Sequence, residues 1–169
     1  GLRVPALADG MAAFDAGDGL CVLVRNHECS AGDVGDAKLG PFGIDGGLAS
    51  KIDASRLFDT GKPGTTMQGG TPNVVYDLRE QRVEHEFLSL GGTIRNCAGG
   101  PTPWGTWLTC EEDVSRIDGK RERDHGWVFE VPATPEIGLT DAKPIRGMGR
   151  FSHEAVAVAG GAAGQRRAR

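Results

Sequence analysis

Short apolar segments separated by glycine-rich connections constrain the fold of this chain most. Glycine accounts for 27 of the 169 residues, against a usual share of roughly 7%. The excess indicates many tight turns, because glycine adopts backbone conformations that other residues avoid. No long stretch shows the apolar periodicity of an amphipathic helix. The sequence therefore predicts an all-β protein.

About six short strands are expected from apolar runs and from period-two alternation. They cover residues 19–26, two runs within 73–90, 104–112, 126–131 and 153–158. Residues 77–90 also contain good helix formers, but the following Gly91 and Gly92 and the β-rich flanks favour two strands with a turn at 79–81. Residues 30–72 read as an unusually long connection. Sandwich, barrel and propeller all fit this pattern.

Charge and cysteine spacing exclude several classes of protein. The formal net charge is -4 and the isoelectric point is about 5.6, which argues against a nucleic-acid-binding protein. No apolar run approaches the roughly 18 residues of a membrane span, and the first residues lack the pattern of a signal peptide. The four cysteines form no C-x-x-C pair, which argues against a zinc ribbon or a thioredoxin-type site.

The segment 96–112, NCAGGPTPWGTWLTCEE, combines metal-ligand types. Cys97 lies in a predicted glycine-proline loop, and Glu111 and Glu112 end an alternating segment. Thiolate and carboxylate both bind metals. Period two places Glu112 on the side of Leu108 and Cys110, so Glu112 is the preferred ligand of the acidic pair. A buried structural cysteine beside a solvated acidic turn remains the alternative.

Further polar residues lie at predicted strand ends. Glu28 follows one strand and Glu154 begins another, and carboxylates at strand ends can converge on one rim of a β-structure. Arg25, Asn26 and Asn96 precede Glu28 and Cys97 closely. Arginine matches phosphate, and asparagine can bind calcium. Ordinary strand-edge pairing is the alternative for each of these residues.

Five stretches resemble the PhoX family of bacterial alkaline phosphatases. They are VRNHE at 24–28, GGTPNVV at 69–75, SLGGTIRNCAGGPTPWGTWLTCEE at 89–112, HGWVFEV at 125–131 and MGRFSHEAVAV at 148–158. The resemblance implies a β-propeller that hydrolyses phosphate monoesters at an iron-calcium centre. It also implies a periplasmic or extracellular location, although the sequence shows no signal peptide.

The same resemblance implies roles for individual residues. Cys97 would bind iron, with Glu28, Glu112 and Glu154 as carboxylate ligands and Glu111 as a further candidate. Cys97, Glu112 and Glu154 would form the catalytic set. The implied contacts to phosphate, or to the calcium shell, come from Arg25, Asn26 and Asn96.

The resemblance covers only the N-terminal part of the family. Residues 1–158 are therefore predicted to form a partial β-propeller, and 159–169, with Arg166 and Arg167, a disordered or aberrant basic tail. About six strands cannot close a propeller with four strands in each blade. The expectation is a fragment that is monomeric or prone to aggregate, with an incomplete site and weak or no activity. A non-catalytic propeller module that binds or supports a partner, and a gene remnant, are the alternatives.

Overall fold

Two antiparallel sheets make up the regular structure of the protein. The computed structural model describes residues 1–31 and 39–159, so the predicted basic tail lies outside the described residues from 160 onwards. Strands form seven segments in this part of the chain, and the helical segments there are short 3-10 turns. The all-β prediction is confirmed.

Each sheet is a simple antiparallel meander. The first contains β1 (Ala8–Gly17), β2 (Leu20–His27), β3 (Gly69–Asp77) and β4 (Arg82–Thr93), in that order. The second contains β5 (Asn96–Pro101), β6 (Thr106–Glu111) and β7 (Val128–Pro132). Meanders of this size are consistent with partial propeller blades.

Strand β1 is a finding that the sequence analysis missed. Its side chains alternate between exposed and half-buried positions along Ala8–Gly17. Only Ala12, Phe14 and Ala16 pack against the core. Alanine gives a weak strand signal, so the alternation in this edge strand is hard to recognise in the sequence.

Three local predictions need correction. Residues 153–158 form no strand; instead the carbonyl of Glu154 accepts a single hydrogen bond from Ala98 N at 3.0 Å, beside β5. Strand β6 begins at Thr106, and Trp104, which precedes it, is 61% exposed. Cys97 lies within β5 and not in a loop.

The predicted hairpin between β3 and β4 is confirmed. The carboxylate of Asp77 accepts hydrogen bonds from the backbone N–H groups of Arg79 at 2.7 Å and Glu80 at 2.9 Å. Gln81 completes the turn with a φ of 54°. The long connection after β2 contains 3-10 turns at Gly47–Lys51 and Ala54–Arg56.

The main apolar core joins the two sheets. Its buried members are Val22, Val24, Phe58, Val75, Leu90, Trp107, Phe129 and Val131. Because they come from both sheets and from the connection after β2, burying them fixes how the sheets pack.

The buried side chain of Asn26 adds polar bonds across this junction. Its Nδ2 donates to the carbonyls of Cys97 and Ala98, both at 2.9 Å. Its Oδ1 accepts from Trp107 Nε1 at 2.9 Å and from Thr109 Oγ1 at 2.8 Å. Both donors and both acceptor positions of the amide are thus satisfied, and β2 is held against β5 and β6.

Gly99 on β5 allows the closest approach of β5 to β6. A Cβ at this position would overlap the carbonyl oxygen of Leu108 and lie 2.9 Å from Trp107 Cζ2. We expect Gly99→Ala to lower the free energy of unfolding by about 1–3 kcal/mol, because backbone must move to accept the methyl group. Urea unfolding of the full chain measures this loss.

The matched control is Gly119→Ala, since a Cβ at Gly119 meets nothing within 4 Å. Equal unfolding midpoints for the two variants would show that β5 and β6 do not approach each other as described.

Candidate metal centre

Three potential metal ligands meet at the edge between the two sheets. Glu28 directly follows β2, Cys97 lies on β5 and Glu112 directly follows β6. One ligand atom from each lies within 4.8 Å of the others. In the described part of the chain, these three side chains form the group that could hold a metal ion. The antiparallel pairing of Asn96 with Glu111 brings Cys97 to the end of β6. Residues far apart in sequence thus form one thiol-carboxylate cluster.

The backbone of Arg95 connects the segments that carry the two carboxylates. Its N–H donates to the carbonyl of Cys29 and its carbonyl accepts from Glu112 N–H, both at 2.9 Å. Arg95 has a φ of 47°, in the left-handed region that side chains other than glycine occupy rarely. Such conformations often occur at functional sites, where the surrounding structure holds them.

The guanidinium of Arg95 pairs with both carboxylates. Its Nη2 lies 2.9 Å from Glu28 Oε1 and 3.1 Å from Glu112 Oε2. Its Nε also donates to Glu28 Oε1 at 3.2 Å. Arg95 is therefore the cation that neutralises part of the cluster.

The thiol of Cys97 lies in a strongly negative environment. Partial burial, followed by the charges of Asp9, Glu112, Glu28 and Glu154, raises the pKa of Cys97 to about 11. Sγ donates a hydrogen bond to Asp9 Oδ2, at 3.8 Å. The thiol thus keeps its proton at neutral pH unless a cation offsets these charges.

The donor set suits metal ions of two kinds. Carboxylate oxygens are the ligands that calcium prefers, and a thiolate suits iron. The negative surroundings of Cys97 would favour a bound cation in turn, since opposite charges within a few ångströms attract strongly at a partly buried site. The residues at this position therefore fit the metals that the PhoX resemblance implies.

Glu154 lies beside the cluster but outside the group of three. Its charge acts on Cys97, and its side chain is exposed to solvent. The Ala98–Glu154 backbone bond and a 3.0 Å hydrogen bond from Ser152 Oγ to the carbonyl of Glu112 hold its segment close.

The structure does not bring Glu111 to the cluster. Its Oε1 accepts from Ile94 N–H at 3.0 Å and contacts His125 Nδ1 at 2.7 Å. Its Oε2 accepts from the N–H groups of Gly126 at 2.8 Å and Trp127 at 3.1 Å. Both oxygens are thus occupied inside the fold, because alternation along β6 sends Glu111 and Glu112 to opposite faces.

A buried histidine, His125, lies between two carboxylates and helps to hold Glu111 inside the fold. His125 contacts Glu111 through Nδ1 and Asp59 Oδ2 through Nε2, at 2.7 and 3.1 Å, and all three side chains are 0% exposed. Burial alone would lower the pKa of His125, but the hydrogen bonds and charges of Asp59 and Glu111 outweigh burial and raise it to about 9. His125 is therefore a cation at neutral pH. The sequence analysis missed it, and its place just before the strand of the HGWVFEV stretch was the available signal.

The structure holds the three predicted phosphate-binding side chains in other contacts. They are Arg25, Asn26 and Asn96. Arg25 pairs with Glu86 on β4 at 3.3 Å. Asn96 is buried, with its Oδ1 accepting from Thr93 Oγ1 at 2.5 Å and its Nδ2 donating to Thr109 Oγ1 at 2.9 Å. These bonds, like those of Asn26, organise the strands around the centre.

A separate apolar cavity of about 400 Å³ opens between the N-terminal segment and β4. Leu2, Val4, Phe87 and Ile137 are among its lining residues, which include no member of the metal cluster. The cavity is therefore distinct from the candidate centre.

We expect His125→Gln to lower the free energy of unfolding by about 3–5 kcal/mol, because it leaves two buried carboxylates without their cation.

The wild-type stability has a matching pH dependence. With a pKa raised from 6.5 to about 9, His125 stabilises the fold fully below pH 6.5 and loses this effect as the pH rises through 9. Urea unfolding between pH 6 and 10 measures both effects.

The control is His85→Gln, since the half-buried hydrogen bond of His85 goes to the carbonyl of Pro135, at 2.8 Å, and not to a carboxylate. We expect this variant to retain the alkaline loss of stability and His125→Gln to lack it. If His125→Gln lost stability at alkaline pH just as the wild type does, the assignment of His125 as the buried cation would be contradicted.

No helix in the described residues is long and apolar enough to cross a membrane.

Comparisons with known proteins agree with the resemblance seen in the sequence. The family model described as alkaline phosphatase PhoX matches residues 2–165. No curated protein and no solved structure matches the chain. PhoX proteins are metal-dependent phosphatases and are generally secreted or periplasmic. Since the match covers nearly the whole sequence, the chain belongs to the PhoX alkaline phosphatase family.

Proposed function

We propose that this chain takes part in the metal-dependent hydrolysis of phosphate monoesters at the cluster of Glu28, Cys97 and Glu112. The observation that carries the proposal is the convergence of one thiol and two carboxylates within 4.8 Å, in a chain of the PhoX family. In this proposal the Cys97 thiolate holds iron, and the carboxylates hold iron or calcium.

The charge of the cluster supports the binding of cations. Cys97 has to lose its thiol proton to act as a ligand, since metals bind the thiolate. The pKa of about 11 in the metal-free chain reflects burial and neighbouring negative charges, and a cation among the carboxylates would offset both. Glu28 and Glu112 each offer oxygen ligands from a fixed strand end.

When bound, iron and calcium would supply positive charge that offsets the phosphate dianion and polarises its phosphoryl oxygens. The protein residues supply orientation. Asn26 fixes the backbone of Cys97 through its 2.9 Å hydrogen bond, while Arg95 fixes the backbone of Glu112. Glu154 is proposed as a further carboxylate ligand, because its charge already acts on Cys97.

We propose that the activity of this chain alone is weak, and the exposure of the cluster supports this proposal. The side chains of Glu28, Glu112 and Arg95 are 27%, 31% and 41% exposed. Electrostatic catalysis is most effective where water is excluded, and the described residues leave this centre open. Metal binding is therefore the primary measurement. The proposed location is periplasmic or extracellular, as is general for the family.

The test loads the full chain with Fe²⁺ and Ca²⁺ under anaerobic conditions, then measures bound metal and hydrolysis of p-nitrophenyl phosphate. We expect Cys97→Ala to weaken iron binding at least about tenfold, and Glu28→Gln and Glu112→Gln to weaken calcium binding by a similar factor, because even outer partners of metal ligands have effects of that size. Any hydrolysis by the wild-type chain should fall with the bound metal.

The matched control is Cys21→Ala, since Cys21 is a half-buried free cysteine on β2 outside the cluster. Iron binding that is equal in the two alanine variants would refute the assignment of Cys97. Full metal binding by the wild type with no hydrolysis would instead favour a non-catalytic binding module.

A further inference from the structure

The Arg95 guanidinium lies between Glu28 and Glu112, two of the residues that would hold a metal ion. Its Nη2 bridges the two carboxylates at 2.9 and 3.1 Å. These oxygens belong to two of the three residues whose ligand atoms converge. We infer that Arg95 is the exchangeable counterion of the centre: it leaves the carboxylates when metal binds, and its freed guanidinium then binds the phosphoryl group of the substrate. This inference rests on the proposed function.

Electrostatics makes the two occupants of the site mutually exclusive. A divalent cation bound to the same oxygens would lie a few ångströms from the guanidinium, and like charges at that distance repel each other. Metal binding therefore has to displace the side chain of Arg95.

The structure allows the side chain to move while the backbone stays in place. The N–H and carbonyl of Arg95 are both bonded, to Cys29 and Glu112. The side chain is 41% exposed, and its described hydrogen bonds go to Glu28 and Glu112. Its displacement thus needs no change in the strands.

Once displaced, the guanidinium would present its donors directly beside the metal centre. Arginine binds two phosphate oxygens through parallel hydrogen bonds, which lysine cannot do. Arg25, which the sequence analysis favoured for this role, is held by Glu86 on β4. Among the arginines of the described residues, Arg95 is the one that the structure pairs with members of the cluster.

The first experiment measures calcium binding to the full metal-free chain by titration calorimetry. We expect Arg95→Gln to bind Ca²⁺ at least about tenfold more tightly than the wild type, because the competing cation is gone. The control is Arg56→Gln, which breaks the exposed pair with Asp141 and should leave calcium affinity unchanged. Unchanged or weaker calcium binding by Arg95→Gln would overturn the exchange.

Nuclear magnetic resonance tests directly whether calcium displaces the Arg95 side chain, and this measurement requires no enzymatic activity. In the metal-free chain Arg95 Nε–H donates to Glu28, and comparison with Arg95→Gln assigns its signal. We expect the signal to shift during calcium titration, with the midpoint found by calorimetry. A signal that stays unchanged at saturating calcium would show that the guanidinium remains on the carboxylates.

A third experiment measures binding of inorganic phosphate to the calcium-loaded chain. We expect Arg95→Gln to weaken phosphate binding about tenfold or more, and Arg95→Lys to weaken it less, since the charge remains but the paired hydrogen bonds are lost. Phosphate affinity equal to wild type in Arg95→Gln would overturn the anchoring role.

The two proposals fail in different ways. A wild-type chain that binds no calcium contradicts the proposed function itself. A wild-type chain that binds calcium, together with an Arg95→Gln variant of identical calcium affinity, contradicts only the inference about Arg95.

Discussion

The hydrogen bonds of the buried Asn26 amide are the interaction on which the candidate centre depends. One side chain on β2 donates to the carbonyl of Cys97 on β5 and accepts from two side chains on β6. Glu28 lies two residues after Asn26, so the same bonds that join the sheets also set the distance from Glu28 to Cys97. A buried polar group left unsatisfied costs about twice the net gain of a single hydrogen bond, which makes this junction specific as well as stable.

Adjacent carboxylates have opposite roles because of strand alternation. Glu111 and Glu112 are neighbours in sequence, yet Glu111 is buried against His125 while Glu112 reaches the cluster. On the buried side, Glu111 shares one imidazolium with Asp59 and also accepts from backbone N–H groups. The cluster side has one arginine for several negative groups. The protein thus places a cation and backbone donors against the carboxylates inside its fold, and it leaves excess negative charge at the cluster, where a cation can bind.

The sequence predicted those parts of the structure that depend on local pattern. Strands β2, β3, β4 and β7 follow apolar runs or alternation. Period two also places Glu111 and Glu112 on opposite faces, and the choice of Glu112 as a ligand stays a prediction. The sequence could not predict β1, whose alanines carry little signal. Nor could it predict the absence of a strand at 153–158, where apolar alternation is present but the described backbone bonds, at His153 and Glu154, form no continuous ladder. Asn26 and Asn96 show the same limit. Their residue types suggested ligands, and only tertiary packing reveals that their amides bond to neighbouring strands.

X-ray absorption at the iron edge of the iron-loaded full chain tests the central claim most directly. The account places the Cys97 thiolate and carboxylate oxygens around one metal centre. It therefore predicts a mixed shell with one sulfur neighbour in the wild type and a shell of oxygen or nitrogen alone in Cys97→Ser. A wild-type shell without sulfur, or a sulfur neighbour that persists in Cys97→Ser, would contradict it.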